Sequence, residues 1–210
     1  MEIIKSINYN QQEIINNILQ LYNNGNSIDL DCTYSKGVFY KNGIVQEPKH
    51  KSDIKPLFKD VIKADSMNLP FPNDFFQCIM CDLPFLATSG ESLKENNGNI
   101  INKRFSIFEN EIQLHQVYLY TIQEVYRVLR ENGILIFKCQ DKVSSGNQYF
   151  SHVVICEKAI NIGYYPLDLF ILLSKNRIIA NWQKNQKHAR KYHSYFWVFK
   201  KCNKKINYGI

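Results

Sequence analysis

The chain has 210 residues, 45% of them hydrophobic and 21% charged, which is enough to bury a normal core and excludes the disordered and fibrous classes. We expect a soluble protein of the cytoplasm or nucleus with no membrane partner, because no run approaches the roughly 20 apolar residues of a transmembrane helix and residues 1–5 lack a signal-peptide pattern. The net charge of +7 is uneven: residues 1–168 hold 16 cations against 19 acids, whereas the last 42 residues hold ten cations and no acid, which favours a polyanionic partner.

The first part of the chain is predicted to form one helix followed by short strands. Apolar residues at helical spacing predict a helix over residues 10–22, which Asn23-Asn24-Gly25-Asn26 ends. We predict four strands in this part, at 27–31, a short one that ends at Asp53, and two more at 61–65 and 76–82, the last of which is apolar at nearly every position.

An aspartate stands at the carboxyl end of each of these four strands, at Asp31, Asp53, Asp65 and Asp82. Any one of them could simply cap the next turn or helix. Four in succession instead indicate a ligand site, because ligands of open α/β sheets bind beyond the carboxyl ends of the strands.

The second part of the chain continues the alternation of helices and strands. Residues 86–108 have turn residues without periodicity, so we expect a long loop over the strand ends. The remaining elements are a helix at 111–130 capped by Asn132-Gly133, a strand at 134–138, a helix at 153–162 ended by Gly163, and strands near 167–173 and 194–200.

This order predicts an α/β fold, with a mostly parallel seven-stranded sheet and helices on both faces. We expect a single domain over residues 1–210. Within it, residues 1–26 would form the N-terminal helix, residues 27–166 the ligand-binding core, and residues 167–210 the basic C-terminal strands and tail.

The sharpest motif is Asp82-Leu83-Pro84-Phe85 after an apolar strand. It resembles the (Asp/Asn/Ser)-Pro-Pro-(Tyr/Phe) motif of class I S-adenosylmethionine-dependent methyltransferases that modify exocyclic amines of nucleobases. Leu83 replaces the first proline of that motif. The runs at 64–79 and 124–133 also resemble the class I pattern, so the resemblance covers residues 27–140 and implies the Rossmann-like fold of that family.

A second resemblance lies in the run from Asp31 to Tyr40. It is similar to the Asp-x-Thr-(Tyr/Trp)-Gly-Lys-Gly-x-Phe-Trp loop of small, often phage-type, DNA methyltransferases, with Ser35 in place of the first glycine. The runs at 138–141 and 188–196 are similar to the same group.

The resemblance implies S-adenosyl-L-methionine as cofactor. The loop from Asp31 to Gly37 would wrap its methionine part, Asp53 would bind the ribose hydroxyls, and Asp65 or Ser66 would meet the adenine amino group. The expected cofactor-binding residues are Asp31, Cys32, Thr33, Tyr34, Gly37, Asp53, Asp65 and Ser66.

The catalytic residues implied are Asp82, Leu83, Pro84 and Phe85. Asp82 and the Leu83 carbonyl would accept hydrogen bonds from the two N–H groups of the target amine, turning its lone pair toward the methyl group, and neither would act as a strong base. Phe85 would stack on the extruded base, although ordinary core packing is the other interpretation of this ring.

The expected substrate contacts combine the end of the fifth strand with the basic segment: Lys138, Gln140, Lys187, His188, Arg190, Lys191 and His193. Cations interleaved with aromatic residues are typical of nucleic-acid binding. DNA is favoured over RNA, with adenine N6 as the target atom.

We expect no metal site. Cys78 and Cys81 have the spacing of zinc ligands, but alternation along a strand sends their side chains to opposite faces. His188 and His193 stand among basic residues, which favours phosphate or base contacts.

Several alternatives stay open at this point. The target could be an RNA base or cytosine N4 in DNA. Ser35 and Leu83 also leave room for a nucleic-acid-binding module that keeps the fold without catalysis, and a small-molecule methyltransferase would leave the basic tail unexplained. A homodimer or partner subunit could supply sequence recognition, because the chain is short for a separate recognition domain.

Overall fold

A computed structural model describes residues 3–85, 108, 110–144, 146–176 and 186–206. The predicted loop at 86–108 lies outside the described residues, except for Phe108. The strands are β1 (Ile7–Asn8), β2 (Leu30–Asp31), β3 (His50–Asp53), β4 (Ile62–Lys63), β5 (Phe76–Cys81), β6 (Leu129–Cys139), β7 (Lys142–Ser144), β8 (Asn147–Tyr149), β9 (Tyr164–Leu173) and β10 (His193–Lys201). The helices among the described residues are α1 (Gln11–Tyr22), α2 (Glu111–Val128) and α3 (Ser151–Ile162).

Eight of these strands form one sheet in the order β1-β9-β10-β6-β5-β2-β3-β4. All neighbours are parallel except β10, which runs antiparallel to both β6 and β9. The predicted mostly parallel α/β sheet is confirmed, with one strand more than the seven expected because β1 pairs with the outer edge of β9. The remaining strands, β7 and β8, form a separate antiparallel pair.

The central strands are apolar on both faces because helices cover both sides of the sheet. Along β5, Cys78 and Met80 pack with α1, whereas Ile79 and Cys81 pack with α2 and α3. The Asn10 side chain caps α1 by accepting a 2.9 Å hydrogen bond from the backbone N–H of Gln12. The two cysteines of the zinc-like spacing therefore lie in different core layers.

Several predicted boundaries change in the structure. The strands predicted at 27–31 and 61–65 shrink to two residues each, β2 and β4. The helix predicted to reach residue 130 ends at Val128, because Leu129 already adopts an extended conformation and pairs with Phe76. Asn132 therefore does not cap the helix; it lies within β6, where it has a left-handed φ of 66° at the register shift between β6 and β5.

The segment boundary expected between residues 166 and 167 falls inside β9. This strand and β10 complete the same sheet as β2 to β6, so the basic C-terminal strands are part of the central layer. Within the described part of the chain, no helix is long and apolar enough to cross a membrane.

Candidate active site

Asp31 ends β2 and is fully buried. Its Oδ1 accepts from the Thr33 backbone N–H at 2.9 Å and lies 3.3 Å from Thr33 Oγ1, and its Oδ2 accepts from the Tyr40 hydroxyl at 2.8 Å. Burial outweighs these hydrogen bonds and raises the pKa of Asp31 to about 7. The buried carboxyl group thus holds two residues of the loop after β2, Thr33 and Tyr40, by hydrogen bonds.

That loop turns through two left-handed residues. Ser35, at φ 49°, donates its backbone N–H to Asp53 Oδ2 at 2.9 Å. Gly37 has φ 61°, and a Cβ there would come within 2.5 Å of the Tyr34 hydroxyl. Serine therefore holds the left-handed conformation that glycine adopts most readily, and the loop keeps its turn despite the departure from the resembled pattern.

A cavity of about 360 Å³ opens at the carboxyl ends of β2, β3 and β5. Eight of the residues singled out from the sequence line it: Cys32, Thr33, Asp53, Asp65, Ser66, Asp82, Leu83 and Pro84. Asp31, Tyr34 and Gly37 are not among the lining residues and support the loop behind it.

Sequence reasoning missed most of the apolar lining. Ile54 and Leu57 line the cavity although they are 47% and 54% exposed. The signal in the sequence is their position, because apolar residues directly after the strand-ending Asp53 can line a pocket at the strand end. The other lining residues are Ser35, Lys55, Pro56, Met67, Phe108 and Val117.

Asp82 follows β5 and faces this cavity. Its backbone N–H donates to Thr33 Oγ1 at 2.7 Å, and its Oδ2 lies 3.2 Å from Lys138 Nζ. Its Oδ1 is buried and has no hydrogen-bond partner among the described residues. Burial raises the pKa of Asp82, and the ammonium of Lys138 acts in the opposite direction.

Lys138, on β6, does not line the cavity and turns toward Asp82 instead. Its Nζ lies 5.1 Å, 5.5 Å and 5.6 Å from the ring centres of Phe39, Phe85 and Phe196. Gln11, from α1, adds an oxygen at 3.4 Å. The Lys138 side chain is therefore held by its ion pair with Asp82, by the three aromatic rings and by the Gln11 side chain of α1.

The remainder of the motif is held by α2. Leu83 is buried, and the Pro84 carbonyl accepts a 2.8 Å hydrogen bond from the Tyr118 hydroxyl. Phe85 is partly buried beside Lys138, so its ring combines packing with accessible surface.

Gln140 makes a hydrogen bond within the protein. Its Nε2 donates to the His193 carbonyl at 2.8 Å, which ties the start of β10 to the end of β6. This bond fixes the end of the basic segment to the strand that carries Lys138. In that segment Lys187 and His188 are exposed, and Arg190 and Lys191 are half-buried.

A ring cluster continues from His193. His193 Nε2 lies 2.9 Å from the Tyr195 hydroxyl, and the Tyr195 ring stacks on His152 with ring centres 4.3 Å apart. His152 Nδ1 in turn lies 2.8 Å from Asp141 Oδ1. These contacts join the start of β10 to the start of α3 through three rings and a carboxylate.

Comparison with solved structures shows the fold. A chain in the complex between the Haloferax volcanii Trm112 methyltransferase activator and a methyltransferase matches with a TM-score of 0.51 and 11% identity, over 87% of this chain and 86% of that chain. The protein therefore has the Rossmann-like class I methyltransferase fold. No protein-family model matches the chain, and no curated protein matches it.

Two DNA methylases show weaker structural likeness. A Thermus thermophilus protein described as a DNA modification methylase, complexed with S-adenosyl-L-methionine, matches at a TM-score of 0.46 and 16% identity over 68% of this chain and 55% of its own. The PvuII cytosine-N4-specific DNA methyltransferase matches at a TM-score of 0.47 and 15% identity over 67% and 48%. The chain thus spans about half the length of these methylases.

Proposed function

We propose that the protein transfers a methyl group from S-adenosyl-L-methionine to an exocyclic amino group of a nucleobase, with adenine N6 in DNA as the favoured target. The observation that carries this proposal is Asp82, a residue that lines the cavity and whose Oδ1 is a buried acceptor without a partner among the described residues. A buried unpaired oxygen costs free energy, and a target amine would satisfy it.

The cavity suits the cofactor chemically. A volume of about 360 Å³ is of the size of small-molecule pockets. Asp53 and Asp65 offer carboxylate oxygens to hydroxyl and amino groups, and Ile54 and Leu57 offer apolar surface to a ring. Asp53 already accepts from Ser35 and Lys55, but each of its oxygens keeps a further lone pair.

When bound, the cofactor supplies an electrophilic methyl group on a sulfonium. The residues of the chain would orient the acceptor. Asp82 Oδ1 and the Leu83 carbonyl would each accept a hydrogen bond from one N–H of the amine, so that the lone pair of the nitrogen is directed at the methyl carbon. Phe85 would stack on the base. The charge of Asp82 would stabilise the positive charge that develops on nitrogen.

The basic segment supports a nucleic-acid substrate. Lys187 and His188 are exposed, and the His193 end of the segment is tied to β6 by Gln140. Cations would neutralise phosphates, and neighbouring rings offer surfaces for bases. DNA is favoured over RNA by the resemblance of the loop after β2 to DNA methyltransferases, and a homodimer or partner subunit would add recognition surface.

The test is incubation of the purified protein with S-adenosylmethionine labelled in the methyl group and, separately, with duplex DNA, single-stranded DNA or total RNA. Digestion to nucleosides and mass identification give the modified base. We expect labelled N6-methyladenine in DNA, and none with Asp82→Ala. Glu157→Gln, at an exposed carboxylate on α3, serves as the control. Nucleic-acid binding without label in any pool would point to the non-catalytic module.

A further inference from the structure

The ammonium of Lys138 occupies a place defined from several directions. It lies 3.2 Å from Asp82 Oδ2 and 3.4 Å from Gln11 Oε1, with the rings of Phe39, Phe85 and Phe196 within 5.6 Å. The lysine is only 9% exposed. Burying an ammonium is costly unless it is paired, so this lysine and Asp82 depend on each other.

The pairing leaves the two oxygens of Asp82 in different states. Oδ2 is held by Lys138, whereas Oδ1 is buried and has no partner in the described part of the chain. Resting on the proposed function, we propose that Lys138 is a positioning residue: it fixes Oδ2 and keeps the carboxylate charged, so that Oδ1 faces the target amine as an acceptor.

The surroundings explain why such a cation is needed. Besides Lys138, the ionisable groups near enough to interact electrostatically with Asp82 include Asp31 on β2, Cys81 on β5, Tyr118 on α2 and Cys139 on β6. Burial raises the pKa of each of them, so the thiols and the phenol are neutral at pH 7. None of the four is a cation. A protonated Asp82 would donate a hydrogen bond from one oxygen and lose part of its ability to receive the amine.

The experiment follows the titration of Asp82 in cofactor-free protein by NMR of ¹³C-labelled aspartate carboxyls, assigned with Asp82→Asn. Lys138→Met is compared with Lys142→Met, which removes a half-buried lysine from a different ion pair, 2.6 Å from Glu111. An opposite charge at this distance lowers a carboxyl pKa by about 1–3 units. We expect the Asp82 midpoint to rise by that amount in Lys138→Met and to stay unchanged in Lys142→Met.

Two further measurements keep the inference testable. In the wild-type protein, the ¹⁵Nζ resonance of Lys138 should change with the same midpoint as the Asp82 carboxyl. The acid limb of the methyl-transfer pH profile should move upward in Lys138→Met, with activity returning toward higher pH. The inference is overturned if the Asp82 midpoint does not move in Lys138→Met. It is also overturned if the ¹⁵Nζ resonance of wild-type Lys138 does not change as Asp82 titrates. Absence of methyl transfer with the expected titrations instead counts against the proposed function.

Discussion

The backbone N–H of Asp82 donates a 2.7 Å hydrogen bond to Thr33 Oγ1. The same hydroxyl lies 3.3 Å from Asp31 Oδ1 and can donate to it. One side chain therefore joins the end of β5 to the loop after β2. In the proposed reaction these two segments hold the methyl acceptor and the methyl donor, so their relative position governs the distance between the reacting atoms.

Thr33→Val preserves the shape of this side chain and removes the hydroxyl. The Asp82 N–H then loses its acceptor, and we expect methyl transfer to fall at least about tenfold while the fold is retained. Single-turnover rates with the wild type and with Thr33→Ser, which keeps the hydroxyl, measure this. Equal loss in the serine and valine variants would contradict a role for the hydroxyl.

Asp31 should make stability depend on pH. Its folded-state pKa of about 7 lies above the ordinary value of 3.8, so between these values the folded chain binds more protons than the unfolded chain. The free energy of unfolding should therefore fall as pH rises from about 4 to about 7. Asp31→Asn should reduce this fall in the free energy of unfolding by up to about 4 kcal/mol. Urea unfolding at several pH values measures the difference. Glu157→Gln should keep the wild-type slope.

Ser35 and Gly37 should respond in opposite directions to a change of side chain. Both residues are left-handed, at φ 49° and 61°. Ser35→Gly should raise the free energy of unfolding by up to about 1 kcal/mol. A left-handed conformation costs a residue with a side chain roughly 1–2 kcal/mol, and part of this gain is offset because glycine increases the conformational entropy of the unfolded chain. Gly37→Ala should lower it, since the new Cβ would meet Tyr34. Thermal unfolding checks both.

Lys201 belongs to the basic tail in sequence, yet the structure makes it part of a helix end. Its Nζ lies 2.8 Å and 2.7 Å from the carbonyl oxygens of Tyr126 and Leu129, at the end of α2, and 2.7 Å from Asp74 Oδ1. Lys201→Met should cost about 1–3 kcal/mol of stability. The exposed Lys205 is the matched control, and Lys205→Met should change stability by less than about 0.5 kcal/mol.

Nucleic-acid affinity should depend on the other end of the basic region. We expect Lys187→Ala to weaken DNA binding and to reduce the slope of log affinity against log salt by about 1. Lys201→Met should leave that slope unchanged, because its ammonium already binds two carbonyls and a carboxylate. Fluorescence anisotropy at several salt concentrations measures both slopes, and a slope that falls with Lys201→Met would reverse this assignment.

Local patterns predicted the elements whose residues carry their own signal. The periodicity of residues 10–22 and the glycine at 163 predicted α1 and the end of α3, and both predictions are confirmed. The two-residue strand β1 was not predicted from the sequence, because it exists only through its pairing with β9. Strand pairs of this length are fixed by the partner and not by their own composition.

The same distinction applies to the candidate site. Predicted strands that end in aspartate located Asp53 and Asp82, which line the cavity. The direction of Lys138 was out of reach, since its partner Asp82 is 56 positions away in the chain and its rings come from three separate segments. The roles of these residues in binding and catalysis stay predictions.

The central sheet is unequal in length across its width. Strands β2, β3 and β4 have two to four residues, whereas β6, β9 and β10 have nine to eleven. Residues 32–49 and 54–61, all of them described, form turns and not helices beside the short strands. Backbone amides there should exchange with deuterium through local opening, long before those of β6 and β10. A ligand in the cavity would slow the exchange of these amides, so the largest gain in protection on binding should fall on the two segments that open most readily without it.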